Sequence, residues 1–343
     1  MDRSRALARA HDRPRVRDFF QGGLTVEKQG PHVDPESPTY TAPDPARLPA
    51  RFREAMSSPE MQLFRETLRL RPDASIREAV LDDLSTYYGL SPAECVERCI
   101  NWESWSVKEW NARDRSSPEG IADFYATVQS WSFDLLWYAY VQAEGALYPV
   151  PVVAARELGS GLVGRRVLDF GSGVGTTAHF LEALGCQVDL ADISTPLLEF
   201  ARFRLERRNV VASYLNLTQT SLPESEYDVI FAIDTLVHVP DLKAVANQLH
   251  RALKPNGLLF ANFDTRPPSP ENSWHLYAKD LPMRYVVQRA GFEQRARFDG
   301  YLTRYEKVSS RGLGHSARGL RDRVLVNTPV REAYRSLRRR VAL

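Results

Sequence analysis

The residues best able to do chemistry lie between Asp169 and His275. Gly171-Ser172-Gly173-Val174-Gly175 closes a short apolar run formed by Val167, Leu168 and Phe170. Behind it, Thr176 to Leu184 places Ala178, Leu181 and Leu184 at helical spacing. Glycines at such a strand-to-helix turn permit positive φ and let a ligand come close to the backbone. The helix start offers unpaired N–H groups and a partial positive charge, which suit anionic groups or ribose oxygens. A second apolar run, Val188 to Ala191, ends in Asp192. That acid lies about 20 residues past the first glycine, where a carboxylate binds ribose hydroxyls in a dinucleotide-type fold. Two histidines supply candidate bases for a hydroxyl or amine. His238 stands just beyond a third hydrophobic run, Tyr227 to Ile233, and His275 sits in the stretch Ser269 to Lys279 with Trp274 and Tyr277.

These residues need a scaffold that brings them to one edge. Apolar runs at 166–170, 187–191, 211–215, 228–233, 257–263, 293–299 and 302–308 alternate with helical segments. Such alternation predicts an α/β fold, a mostly parallel doubly wound sheet covered on both faces. Ligands of these sheets bind at the C-terminal ends of the strands, which sets Asp169, Asp192, Asn216 and Asp234 along one edge.

Three segments together resemble the class I S-adenosylmethionine-dependent methyltransferases, in particular the group containing the ubiquinone-type enzymes. They are Val167-Leu168-Asp169-Phe170-Gly171-Ser172-Gly173-Val174-Gly175, Tyr227-Asp228-Val229-Ile230-Phe231-Ala232 and Leu253-Lys254-Pro255-Asn256-Gly257. The resemblance covers roughly Leu162 to Val308, under half of the chain. It implies a Rossmann-like, seven-stranded sheet closed by an antiparallel pair that turns at Gly300. It implies S-adenosylmethionine as cofactor, held by Asp169, Gly171, Gly173, Gly175, Thr176, Asp192, Ile193, Asn216, Leu217 and Asp234. Asn216 then reaches the adenine amine, or is a plain turn residue; His238 is a base, or a hydrogen-bonding scaffold common at this place in the family. A nicotinamide or flavin dinucleotide fits less well. Its fingerprint wants a small residue where Thr176 stands and usually lacks an acid at the place of Asp169.

Upstream, residues 44–145 read as helical, with Ser-x-x-Glu start signals at Ser57, Ser75, Ser91 and Ser116. They predict helices near 45–56, 59–70, 76–88, 92–110 and 118–144. The last is dense in aromatic residues, among them Tyr125 and Trp131. In the family an N-terminal helix commonly covers the cofactor, and aromatic faces suit a sulfonium and a flat acceptor. Tyr125, Trp131, Trp274 and Tyr277 are therefore the candidate acceptor contacts, beside a core-packing alternative for the rings. The spacing of Leu84, Gly89 and Cys95 resembles a helix-turn-helix, but the second helix offers Glu94 and Glu97 against one Arg98, which favours a structural pair.

Composition bounds the rest. The 343 residues carry a net charge of +2 with 43% hydrophobic content, ordinary for a soluble globular protein, and no run reaches the length of a membrane span. Three cysteines, Cys95, Cys99 and Cys186, argue against a disulfide framework; Cys95 and Cys99 read as packed thiols, and no metal site is expected. A cytoplasmic location is the default. Residues 1–43 read as a flexible segment, 44–150 as a helical lid or substrate domain, 151–308 as the cofactor-binding domain and 309–343 as a basic tail with nine arginines against two acids. No Asn/Asp-Pro-Pro-aromatic or Pro-Cys sequence of nucleic-acid methylation is present. A small-molecule methyl acceptor is the expected partner, not nucleic acid. The alternatives are a catalytically silent cofactor-binding regulator, and an enzyme that methylates RNA or a peptide through the basic tail. The acceptor atom and the oligomeric state are open, with a homodimer as one alternative.

Overall fold

A computed structural model of the protein describes residues 48–114, 117–266 and 274–308. The expected flexible segment 1–43, the basic tail 309–343 and the first part of the 269–279 loop lie outside them. The helical extension comprises α1 (Ala50–Met56), α2 (Pro59–Leu68), α3 (Ile76–Tyr88), α4 (Pro92–Ile100), α5 (Trp102–Asn111), α6 (Pro118–Thr127), α7 (Trp131–Ala143) and α8 (Val150–Leu158).

Serine caps start several of these helices, and proline chooses which serine. Ser75 and Ser91 form reciprocal capping boxes with Glu78 and Glu94. At α2 and α6 the cap is Ser58 and Ser117, one residue later than the Ser-x-x-Glu pattern predicts. Proline at the first helical position makes its predecessor the cap, so the third helical residue becomes Met61 or Gly120 and no glutamate stands there to close a reciprocal box.

Two expected long helices are each broken in two. The 92–110 helix stops at Asn101, whose φ of −101° and ψ of 24° leave the helical region. The 118–144 helix stops at Val128, which is extended, and α7 begins afresh at Trp131. Glu109 of α5 stabilises this restart. Its carboxylate accepts the backbone N–H groups of Gln129 and Ser130 at 3.3–3.4 Å and the Ser130 hydroxyl at 2.8 Å. These are donors that a helix start leaves unpaired.

The sheet has seven strands: β1 (Arg166–Phe170), β2 (Gln187–Asp192), β3 (Ser213–Asn216), β4 (Tyr227–Ala232), β5 (Leu253–Asn262), β6 (Phe292–Phe298) and β7 (Leu302–Lys307). Their order is β3-β2-β1-β4-β5-β7-β6. The first five are parallel, and β7 runs antiparallel to β5 and β6. The β6–β7 turn passes through Asp299 and Gly300, both at positive φ, as a tight hairpin requires. The segment Leu253-Lys254-Pro255-Asn256-Gly257, where the sequence places a turn ahead of the 257–263 run, lies inside β5 as a bulge, and the register with β4 shifts between Tyr227 and Val229.

Helices α9 (Thr176–Ala183), α10 (Thr195–Glu206), α11 (Leu242–Ala252) and α12 (Asp280–Arg289) connect the strands. Successive strand residues serve opposite faces. Val167, Val229 and Phe231 join one core with the helical extension; Leu168, Ile230 and Ala232 join another with α11 and α12. The extension therefore shares a continuous core with one face of the sheet. Asp299 reinforces this from the far edge, accepting the first-turn N–H groups of Arg51 and Phe52 at 3.3 and 3.1 Å. No helix among the described residues is long and apolar enough to cross a membrane.

Candidate active site

Strand order reverses between β1 and β4, which opens a crevice at their C-terminal ends. A cavity of about 510 Å³ lies there. It falls within the range of about 300–1,000 Å³ common for small-molecule sites. Gly171 and Gly173 line its floor, with Asp192 and Ile193 at the end of β2, Leu217 after β3, and Asp234 and His238 after β4.

Asp192 ties the two loops of the floor together. One carboxylate oxygen accepts the Gly173 N–H at 2.9 Å and the other the Ser194 N–H at 2.9 Å. Burial pushes its pKa up, against the pull of those backbone donors. Each oxygen keeps a lone pair for a hydroxyl donor. Gly173 leaves no room for a side chain, since a Cβ there would lie 2.6 Å from Leu135 Cδ1 on α7.

Asp169, Gly175, Thr176, Asn216 and Tyr277 are not among the lining residues, so five of the expected site residues lie outside the cavity wall. Asp169 is only 3% exposed beneath the glycine turn and accepts the Ala178 N–H; burial, then the Asp192 charge, push it up to about 7. Gly175 lets the start of α9 pack against β2 and α10, where a Cβ would meet Leu190 and Ala201 at 3.1 and 3.2 Å. Thr176 is the first residue of α9. The Asn216 side chain is committed locally. It donates to Thr195 Oγ1 at 2.8 Å and accepts from the Thr218 backbone N–H and hydroxyl at 3.0 and 2.7 Å, in line with the turn-residue alternative. Tyr277 donates to the Val239 carbonyl at 2.8 Å.

The extension forms the roof. Tyr125 of α6 and Trp131 of α7 line the cavity, as do Trp274 and His275. Tyr125 donates to the Trp274 carbonyl at 2.6 Å, and His238 Nδ1 lies 3.0 Å from the same oxygen. A carbonyl only accepts, so Nδ1 carries the proton and Nε2 the lone pair. Burial pushes the His238 pKa down to about 4, so the ring is neutral at neutral pH. His275 stacks edge-on against it with centroids 4.8 Å apart.

Four further charged residues that the sequence reading passed over line the cavity: Glu103, Asp134, Asp264 and Arg266. Arg266 donates through Nε and Nη2 to Asp264 at 3.1 and 2.8 Å, and that carboxylate outweighs the burial that opposes its charge. Asp234 accepts from Asn262 Nδ2 and, at 2.9 Å, from the Tyr301 hydroxyl; burial still lifts it to about 6. Asp134 was legible as the one acid in the aromatic run Trp131-Ser132-Phe133-Asp134-Leu135-Leu136-Trp137-Tyr138.

With this geometry in place, the comparison with known families is decisive for the central segment. Residues 168–259 match the family model described as a methyltransferase domain. The chain contains a class I S-adenosylmethionine-dependent methyltransferase domain. Its sequence is similar to the ubiquinone biosynthesis O-methyltransferase of Histophilus somni, at 31% identity over 33% of this chain and 51% of that protein. It is also similar to phosphoethanolamine N-methyltransferase 3 of Arabidopsis thaliana, at 28% identity over 62% of this chain and 48% of that protein. Among solved structures, it is similar to phosphoethanolamine N-methyltransferase 2 of Haemonchus contortus in complex with S-adenosyl-L-methionine. That match has 22% identity and a TM-score of 0.41, over 51% of this chain and 45% of that chain. The chain spans about half the length of the curated relatives it matches. The methyltransferase domain supplies the floor of the cavity; the extension supplies its roof.

Proposed function

We propose that the protein transfers a methyl group from S-adenosylmethionine to a small-molecule acceptor held between the methyltransferase domain and the helical extension. The observation that carries this reading is Asp192. It sits at the switch point, bonded to the Gly173 N–H, in a cavity sized for a small molecule. The residues fit the cofactor: Asp192 would receive the ribose hydroxyls, and Gly171 and Gly173 would face its amino-acid end. When bound, the cofactor supplies a methyl group on a sulfonium, which is already a good leaving group.

The chain's own residues then have three tasks. The α6–α7 roof, through Tyr125, Trp131 and Leu135, excludes water and limits how the acceptor lies. His238 acts as a positioning residue: its Nδ1–H is held by the Trp274 carbonyl that Tyr125 also holds, and burial, which pushes its pKa down to about 4, makes the Nε2 lone pair a weak proton acceptor. Together they tether Trp274, in the 269–279 loop, to the roof. Third, a hydroxyl or protonated-amine acceptor needs a group to take its proton.

Calorimetric titration with S-adenosylmethionine and S-adenosylhomocysteine tests the reading. Micromolar binding is expected, weakened at least tenfold by Asp192→Ala. Unchanged affinity in that variant would remove Asp192 from the site. Binding without formation of S-adenosylhomocysteine from any small acceptor would favour a regulator.

A further inference from the structure

The inference concerns the roof half of the cavity and rests on the function proposed above. Five carboxyl side chains line the cavity, with Arg266 the single arginine or lysine among the described lining residues. Three of the five are engaged. Asp192 is held by backbone N–H groups, Asp234 by Asn262 and Tyr301, and Asp264 by Arg266. Glu103 is exposed. Asp134 is partly buried on α7, and no described residue hydrogen-bonds to its carboxyl group.

An unpaired carboxyl facing a cavity walled by Trp, Tyr and Phe rings is costly unless a ligand pairs with it. A ligand cation compensates twice, through the carboxylate and through the faces of the surrounding rings. A ligand anion would meet four or five acids and one already-paired guanidinium. A neutral phenol would leave the carboxyl without a charge partner. The cavity therefore selects for positive charge on the acceptor.

We propose that the methyl acceptor is a small amine with an apolar body, and that Asp134 receives its ammonium group and takes the proton that must leave before nitrogen can be methylated. The step is a proton transfer alone. An N–H bond breaks, an O–H bond forms on Asp134, the electron pair stays on nitrogen, and nothing is oxidised or reduced. The groups acting on Asp134 are Cys99 of α4, Glu103 of α5, Tyr138 of α7, and Asp234 and Arg266 from the sheet edge. Burial dominates among these influences and pushes Asp134 up to about 7, with Arg266 the one group pulling it down. A base near pH 7 is well matched to a proton it must accept and later release.

The test compares three ligands with one ring and different charges on protein saturated with S-adenosylhomocysteine: tyramine, 4-ethylphenol and 3-(4-hydroxyphenyl)propionate. Tyramine is expected to bind at least tenfold more tightly than either of the others. At pH 7 its binding should release about half a proton, read as the dependence of calorimetric heat on buffer ionisation enthalpy. That follows because a carboxyl with a pKa of about 7 is half protonated there and the ammonium ionises it fully. Asp134→Asn should abolish both the preference and the proton release while holding S-adenosylhomocysteine affinity within about threefold. Asp134→Ser serves if the first variant does not fold, and the proton count in the parent protein needs no variant.

Equal binding of tyramine and 4-ethylphenol would overturn the proposal. So would a preference that survives in Asp134→Asn, or no tyramine binding at 10 mM to loaded protein. Failure to bind S-adenosylhomocysteine at all would instead strike the underlying function.

Discussion

Asp83→Ala should destabilise the protein more than any nearby surface change, because this buried carboxylate pairs with three guanidinium groups and, among the described residues, is the one acid paired with Arg204 and Arg208. Asp83 is 0% exposed on α3; Arg204, Arg207 and Arg208 converge on it from the end of α10. The contacts are 3.2 Å to Arg204 Nε, 2.7 Å to Arg207 Nη1 and 2.8 Å to Arg208 Nη2. Arg204 and Arg208 are 1% and 4% exposed, so water cannot take over the lost role. Burial already pulls the Arg204 pKa down to about 10 even with Asp83 in place. Removing one partner of a buried pair costs about 3–5 kcal/mol, since the uncompensated charge stays behind. The matched control is Asp82→Ala. Asp82 pairs with Arg207 at 2.6 Å but is 51% exposed, and such surface pairs contribute about 1 kcal/mol or less. Urea unfolding at pH 7.5 reads both variants. The effect should reach the cofactor site as well, because Arg204 Nη1 also donates to the carbonyl of Val174 within the glycine turn, at 2.6 Å. Weaker S-adenosylhomocysteine binding in Asp83→Ala is therefore expected, with no change in Asp82→Ala. A loss below about 1 kcal/mol for Asp83→Ala, or equal losses in the two variants, would refute the idea that this cluster joins the extension to the site.

Two other substitutions separate roles within the floor and roof. Asp169→Asn should stabilise the ligand-free protein at pH 8 and not at pH 4. The folded carboxyl is raised from 3.8 to about 7, so the native state holds a proton that the unfolded chain releases, and stability falls as pH rises between those values. At about 1.4 kcal/mol per pH unit the gain at pH 8 is at most about 4 kcal/mol, and a gain independent of pH in urea titrations would contradict it. His238→Asn, which preserves a donor toward the Trp274 carbonyl, should keep kcat within about threefold, whereas His238→Ala should raise the acceptor KM by freeing that segment. A loss of 100-fold or more in kcat for His238→Asn would make this histidine the base instead.

The sheet was legible because its signals are local. Apolar strands of β1, β2 and β4 end at glycines or acids, and each reads as the near-continuous apolar run that burial on both faces produces. The helical extension was legible in extent and not in joints. Ser-Pro pairs marked where α2, α4 and α6 begin. The breaks at Asn101 and Val128 depend on contacts that no local pattern carries. Glu109, twenty residues from the Gln129 N–H, satisfies the start of α7, and Asp299 does the same for α1 from the other end of the chain.

The candidate site divides along the same line. Gly173 and Asp192 could be paired from spacing because the strands that carry them are neighbours in the sheet and in sequence. The inner edge of the roof could not. What fixes Tyr125 is the Trp274 carbonyl, 149 residues away: 4% exposed, the tyrosine packs in the core, lines the cavity and donates to that carbonyl at 2.6 Å. Asp134 is the sharper case. It is the one charged residue of α7, and a carboxyl among aromatic and apolar neighbours costs folding free energy, so its presence asks for a partner. No described residue answers with a hydrogen bond, and the one cation acting on it, Arg266, is already bonded to Asp264. A chain that keeps such a residue beside its cofactor turn gains from it when a ligand is bound. Proton release on tyramine binding is therefore the measurement that separates an acid kept for an acceptor from one tolerated in a loosely filled roof.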